Sequence, residues 1–103
     1  MQILIFHPLA KEEIRTAANY YDDNRRGLGD RFLDAIEHGM IQIQSNPFGW
    51  RKFRGEVRCY LVQKFPYGIL YITDDAYIFI VAIMHLHRVP DYWIERLVDM
   101  PQA

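Results

Sequence analysis

Toward the C-terminal end of this chain, His85, His87, Arg88 and Tyr92 crowd into one short segment. If a strand runs to its end there, the two histidines share a face and Arg88 takes the other. Such a group can move a proton on RNA. A histidine takes a proton from a ribose hydroxyl or returns one to the leaving oxygen, while arginines such as Arg54, Arg58 and Arg88 hold the phosphate as its charge develops. Tyr92 could serve as proton donor or stacking ring. The competing reading is structural: His85 caps a sheet, and His87 with Arg88 fixes the following segment by hydrogen bonds. No carboxylate lies at ligand spacing beside the histidines, which disfavours a metal pair. Neither metal nor cofactor is expected.

A second cluster is basic. Between Trp50 and Phe65 stand Arg51, Lys52, Arg54, Arg58 and Lys64 against Glu56 alone. Beyond Phe65 the sign reverses, with Asp74, Asp75, Asp91, Glu95 and Asp99 against Arg88 and Arg96. The whole chain carries a formal charge of −1, so it does not coat nucleic acid through overall charge. A local basic patch on a near-neutral protein suits an acidic partner at one place, unless the run is only a solvated strand and loop. Trp50 and Phe53, set among these cations, read as packing anchors in preference to base-stacking rings.

These groups need a scaffold, and 103 residues, half of them hydrophobic, suffice for one domain with one core spanning 1–103. A lone cysteine, Cys59, excludes an internal disulfide and a thiolate metal cluster, and reads as a small core residue. The longest apolar run, Ile78 to Met84, falls far short of the ~20 residues a membrane helix needs, and the N-terminus lacks the plan of a signal peptide. A cytoplasmic protein that contacts no membrane is expected. No glycine-rich phosphate loop, nucleophile elbow or paired-carboxylate site is present.

The scaffold is of the α+β class. Residues 2–6 read as a first strand, stopped by His7-Pro8. A helix follows with Leu9, Ile14, Ala17, Ala18 and Tyr21 on one stripe, and Glu12 and Glu13 are placed in its first turn, where the helix dipole favours them. Tyr20 and Tyr21 diverge, so one enters the core. The polar link Asp22 to Gly29 makes an antiparallel hairpin with a second helix from about Asp30 to Gln44, whose stripe is Phe32, Leu33, Ile36, Met40 and Ile43 and whose end is set by Asn46-Pro47. After a basic loop comes a three-stranded antiparallel meander with turns at Phe65-Pro66-Tyr67 and Asp74-Asp75. On its first strand Arg58, Tyr60, Val62 and Lys64 should form a basic face. On its third, Tyr77, Phe79, Val81 and Ile83 should oppose Ile78, Ile80, Ala82 and Met84, two apolar faces that place this strand inside the sheet with a cover on each side. Pro90-Asp91-Tyr92-Trp93 then opens a short terminal helix to about Val98, ahead of a frayed tail. The pattern carries the cationic and imidazole groups to one rim.

The element order, together with Gly27–Glu37 (GLGDRFLDAIE), Asn46-Pro47, Val57-Arg58, Phe65–Tyr71 (FPYGILY) and His85–Trp93 (HLHRVPDYW), resembles the RelE/ParE superfamily of bacterial type II toxins across nearly the whole chain. The resemblance implies a small fold of that type and a toxin encoded beside a cognate antitoxin, which wraps and neutralises it in a hetero-oligomer. RelE-like members cut mRNA on the ribosome without a metal; ParE-like members poison DNA gyrase. Where the nucleases carry Gly-Tyr-Arg-Leu-Val-Tyr in the middle meander strand, this chain has Pro66-Tyr67-Gly68-Ile69-Leu70-Tyr71, so Gly68 replaces a phosphate-binding arginine. Lys52, Arg54, Arg58 and Lys64 remain as phosphate or target contacts, Lys52 and Arg54 matching the nucleases' basic pair and Arg88 and Tyr92 their terminal arginine and tyrosine. Leu86 stands in place of another arginine. The FPY and HRxPxYW segments favour a ParE-like gyrase inhibitor. The alternatives are a ribosome-dependent mRNA endoribonuclease using His85, His87, Arg88 and Tyr92, and a detoxified member that only binds antitoxin.

Overall fold

The computed structural model describes residues 2–88 and 91–101. Strand β1 (Ile3–Phe6) leads into the helical hairpin α1 (Pro8–Asn24) and α2 (Leu28–Ser45), followed by strands β2 (Lys52–Arg54), β3 (Val57–Leu61), β4 (Tyr67–Thr73) and β5 (Tyr77–His85) and a C-terminal 3-10 helix (Ile94–Asp99). The five strands form one sheet in the order β1-β5-β4-β3-β2, with β1 parallel to β5 and all other pairs antiparallel. The meander is as expected, and β5 lies inside the sheet. The basic loop contributes a short edge strand of its own, β2, which its composition did not signal.

Each turn has a local cause. His7 Nδ1 accepts from Leu9 N at 3.1 Å and caps α1, with Pro8 as the first helical residue. Asp22 Oδ1 accepts from the backbone of both Gly27 and Gly29, closing the hairpin, and Gly27 takes φ 88°, a left-handed value suited to glycine. A β-carbon on Gly29 would sit 2.5 Å from the Ala18 carbonyl oxygen, so α2 packs against α1 through its absence. Asp74 Oδ1 accepts from Ala76 N and Tyr77 N, so Asp74-Asp75 is a side-chain-closed turn.

The sheet is covered on both faces. The hairpin packs Ala10, Ala17, Phe32, Ile36 and Ile43 onto Tyr60, Ile69, Tyr71 and Ile80. Tyr21 joins this core through rings at 5.4 Å from Phe32 and 5.0 Å from Phe65, while Tyr20 is exposed. The other face is a second core of Val57, Leu70, Phe79, Val81, Met84 and Trp93, with Leu97 and Met100 against it.

Several expectations change. Leu9 and Leu33, read into the stripes, are exposed, and Ala10 is buried instead. Glu12 and Glu13 lie past the first turn of α1, which holds no acidic residue. The supposed basic face of β3 points into the first core, with Tyr60 and Val62 buried; the strand ends at Leu61, and Lys64 sits in the following turn at φ 68°. Burial of two apolar side chains outweighs the exposure of their charged neighbours. Trp50 packs on Tyr60 at 4.9 Å, and Phe53, 42% exposed, lies with its ring 6.4 Å from that of Trp93. The terminal helix is a 3-10 helix starting at Ile94, and its expected opening at Pro90 lies outside the described residues. In the tail, Met100 packs on the second core; residues 102 and 103 lie outside the described range.

One irregularity positions the candidate site. Leu70 pairs with Ala82 but Tyr71 with Ile80, so β5 carries an extra residue, Val81, at a bulge. Val81 and Ala82 both join the second core, and alternation restarts with Ile83 on the helix side. Strict alternation would have placed Ile83 with Phe79.

Candidate functional site

Strand β1 stops at Phe6 opposite Ile80, so the outer edge of β5 has no strand partner beyond that point. Two side chains replace it. Arg96 Nη1 donates to the Val81 carbonyl at 3.1 Å, and Glu13 Oε1 accepts from Ile83 N at 2.9 Å. Glu13 also receives both terminal nitrogens of Arg96 at 2.9 Å and the Tyr92 hydroxyl at 2.8 Å. The Glu13 and Arg96 side chains are 18% and 10% exposed, so the pair is largely withdrawn from water. Burial raises the Tyr92 hydroxyl well above its ordinary value, and the bond and negative charge of Glu13 raise it further. Burial alone would lower Arg96; the hydrogen bond and charge of Glu13 outweigh it and hold the guanidinium up. At the far end of the segment, His7 Nε2 meets Asp99 at 2.8 Å. Because Nδ1 already accepts from Leu9 N, Nε2 carries the proton.

The histidines and Arg88 stand beside this knot. His85 ends β5 on the helix side, its ring 5.0 Å from Tyr67 and 5.2 Å from His87. His85 Nδ1 accepts from His87 N at 3.1 Å, so in the neutral ring Nε2 is the donor. The Arg88 guanidinium lies 4.3 Å over the Tyr92 ring. A cavity of about 480 Å³ opens between α1 and the end of β5, walled by Tyr20, Tyr21, Tyr67, His85 and Arg88. His85, His87, Arg88 and Tyr92 are therefore neighbours, although β5 ends before His87 and the continuous strand expected there is absent.

The basic residues do not join them. Lys52 pairs with Glu56 at 3.0 Å, and Arg58 donates to the Phe48 and Trp50 carbonyls at 3.1 and 2.7 Å, fastening the loop that precedes β2. Lys64 is in the β3–β4 turn, beside a different cavity lined by Asp34 and His38. Arg54 alone reaches toward the C-terminal segment, through an ion pair with Asp91. The single rim is thus divided: β4 and β3 separate β5 from β2. The sequence offers Glu13 only as a first-turn carboxylate and Arg96 only as a cation in an acidic run, since a helix carboxylate and an arginine more than eighty positions away give no joint signal.

Cys59 is half-buried, and burial pushes its thiol from 9 up to about 11. The fold therefore prefers the neutral thiol, a preference fully present below the unfolded value and lost as pH rises through the folded one. Urea midpoints are expected to fall between pH 9 and 11 more steeply for this protein than for Cys59→Ala; identical slopes would contradict the assignment.

A family model described as the ParE toxin of type II toxin-antitoxin system, parDE, matches residues 4–90. Among solved structures, the chain is similar to one titled "Chromosomal ParDE TA system from P. aeruginosa", with a TM-score of 0.66 and 16% identity over 84% of this chain and 98% of that one. A search of curated proteins gives no match. No helix among the described residues is long and apolar enough to cross a membrane.

Proposed function

Since this chain belongs to the ParE toxin family of type II toxin-antitoxin systems, we propose that it is a growth-inhibiting toxin of one domain, acting on DNA gyrase in the cytoplasm and neutralised by a cognate antitoxin in a hetero-oligomer. The family match over residues 4–90 carries this reading. The geometry supports an inhibitor over a nuclease. The Tyr92 hydroxyl donates its hydrogen bond to Glu13, and burial together with that carboxylate raises its pKa, so it is a weak acid toward a leaving group. Arg58 is spent on two backbone carbonyls. On β4, Gly68 has no room for a larger residue without displacement, since its β-carbon would lie 2.8 Å from Cys59 Sγ. A phosphate in flight would lack the preorganised charge of those two positions, at about 3–4 kcal/mol per lost donor.

The proximity of His85 and His87 is what favours the second reading, an endoribonuclease. Expression of the chain alone, with gyrase–DNA cleavage complexes and transcript integrity followed together, separates the two. The expected result is growth arrest with accumulated cleaved DNA complexes and intact transcripts. Cleaved transcripts that disappear in His85→Ala and Arg88→Ala would replace the gyrase reading with the nuclease; unimpaired growth would leave only antitoxin binding.

A further inference from the structure

The contacts that build the cavity of about 480 Å³ between α1 and the end of β5 leave its polar lining unevenly used. Its carboxylates are taken, Glu13 by Ile83 N, Tyr92 and Arg96, and Glu12, at the rim, by Arg15. Its donors are not. Among the described residues, the hydroxyls of Thr16, Tyr20, Tyr21 and Tyr67 make no hydrogen bond, the His85 ring bonds only through Nδ1, and the Arg88 guanidinium has no ion pair. Arg88 is nonetheless held in place. Its backbone N–H donates to the His85 carbonyl at 3.0 Å, closing the turn after β5, and its guanidinium lies over Tyr92, whose hydroxyl is fixed by Glu13. The rest of the wall is aromatic: Tyr20, Tyr21, Tyr67 and His85 follow one another at 5.4, 6.3 and 5.0 Å with interplanar angles of 70°, 69° and 78°. Faces and edges therefore alternate. Phe32 anchors Tyr21 and Tyr67 from the core at 5.4 and 5.1 Å, so this wall is set before any ligand arrives.

We infer that this cavity binds a single nucleoside phosphate, its base against the tyrosine rings and its phosphate on Arg88 and His85 Nε2. The volume lies within the ~300–1,000 Å³ of small-molecule sites. Alternating faces and edges suit a flat ring, which stacks on one tyrosine while meeting the edge of the next. Hydroxyls, an imidazole N–H and a guanidinium, with both carboxylates engaged, favour a ligand rich in acceptors. The nitrogens and carbonyls of a base supply them, where an apolar ring would leave the hydroxyls dry and unpaired. The phosphate completes the match, because a planar guanidinium meets its oxygens with two parallel bonds and Arg88 is already stacked on Tyr92. The site is independent of the gyrase and antitoxin readings, and a mononucleotide has no internucleotide bond to cut.

The probes are the adenosine, guanosine, cytidine and thymidine 5′-monophosphates, titrated calorimetrically into the full chain at neutral pH. At least one is expected to bind with a dissociation constant below about 1 mM. The matching nucleoside, which lacks the anion, and phenyl phosphate, which lacks the acceptors, should each bind about tenfold more weakly or worse. Arg88→Gln and Tyr20→Ala alter exposed residues, with folding checked by circular dichroism, and each is expected to weaken binding about tenfold or more. Arg26→Ala, on the turn between α1 and α2, leaves affinity unchanged. Failure of all four monophosphates to bind would overturn the inference and leave the toxin reading intact. Phenyl phosphate binding as tightly as a nucleotide would overturn the base assignment in favour of a phosphorylated side chain. Unaffected binding by Arg88→Gln and Tyr20→Ala, or an equal loss in Arg26→Ala, would place the nucleotide outside this cavity.

Discussion

Glu13→Ala is expected to lower stability by about 3–5 kcal/mol, the usual cost of removing one partner from a buried ion pair. The substitution strands three groups at once: the Arg96 guanidinium loses its counter-charge, the Tyr92 hydroxyl its acceptor, and Ile83 N the carboxylate that it donates to. For a domain of this size the shift is roughly 15 °C or more in Tm. The double variant Glu13→Ala, Arg96→Met separates charge from packing. It no longer buries an unpaired cation, so it should be less destabilised than Glu13→Ala alone. Urea unfolding of the three proteins gives the answer, and an effect of Glu13→Ala below 1 kcal/mol would show that the knot is solvated in solution.

A loss of similar size, about 3–5 kcal/mol, is expected for Trp93→Ala. Trp93 is 1% exposed and packs on the face formed by Val57, Leu70, Phe79, Val81 and Met84. Its removal leaves a large cavity under a 3-10 helix too short to hold itself by local hydrogen bonds. The indole Nε1 has no hydrogen-bond partner among the described residues, so truncation also discards an unsatisfied buried donor, which moves the expectation to the lower part of the range. Trp93→Phe should recover most of the loss. An apolar dye is expected to bind Trp93→Ala under native conditions and not the parent, since the second core then opens to solvent; absence of dye binding together with an unchanged urea midpoint would mean the segment contributes little.

These two effects concern contacts between the ends of the chain, and that is where sequence reading stopped. The helical hairpin was legible because its stripes recur at helical spacing and Gly27 and Asn46-Pro47 mark its limits. The meander was legible because β-branched and aromatic runs alternate with turn-forming residues, Phe65-Pro66-Tyr67 at one turn and Asp74-Asp75 at the other, where the Asp74 side chain closes the turn. The neighbourhood of His85, His87, Arg88 and Tyr92 follows from their closeness along the chain. Arg58 illustrates the failure: its type and position suit an exposed phosphate clamp, yet it satisfies the carbonyls of Phe48 and Trp50. Nothing local distinguishes those two uses of a guanidinium.

Local pattern thus determined the kinds of elements, their order and the apolar character of both faces of β5, because propensity, periodicity and turn chemistry act over a few residues. The tertiary structure decided which face each group occupies. A single extra residue at Val81 turns Ile83 and His85 to the helix side, since side chains alternate with a period of two and one insertion reverses every later position. The early end of β1 then leaves backbone groups that Glu13 and Arg96 satisfy, and that need exists nowhere in the sequence until the sheet has formed.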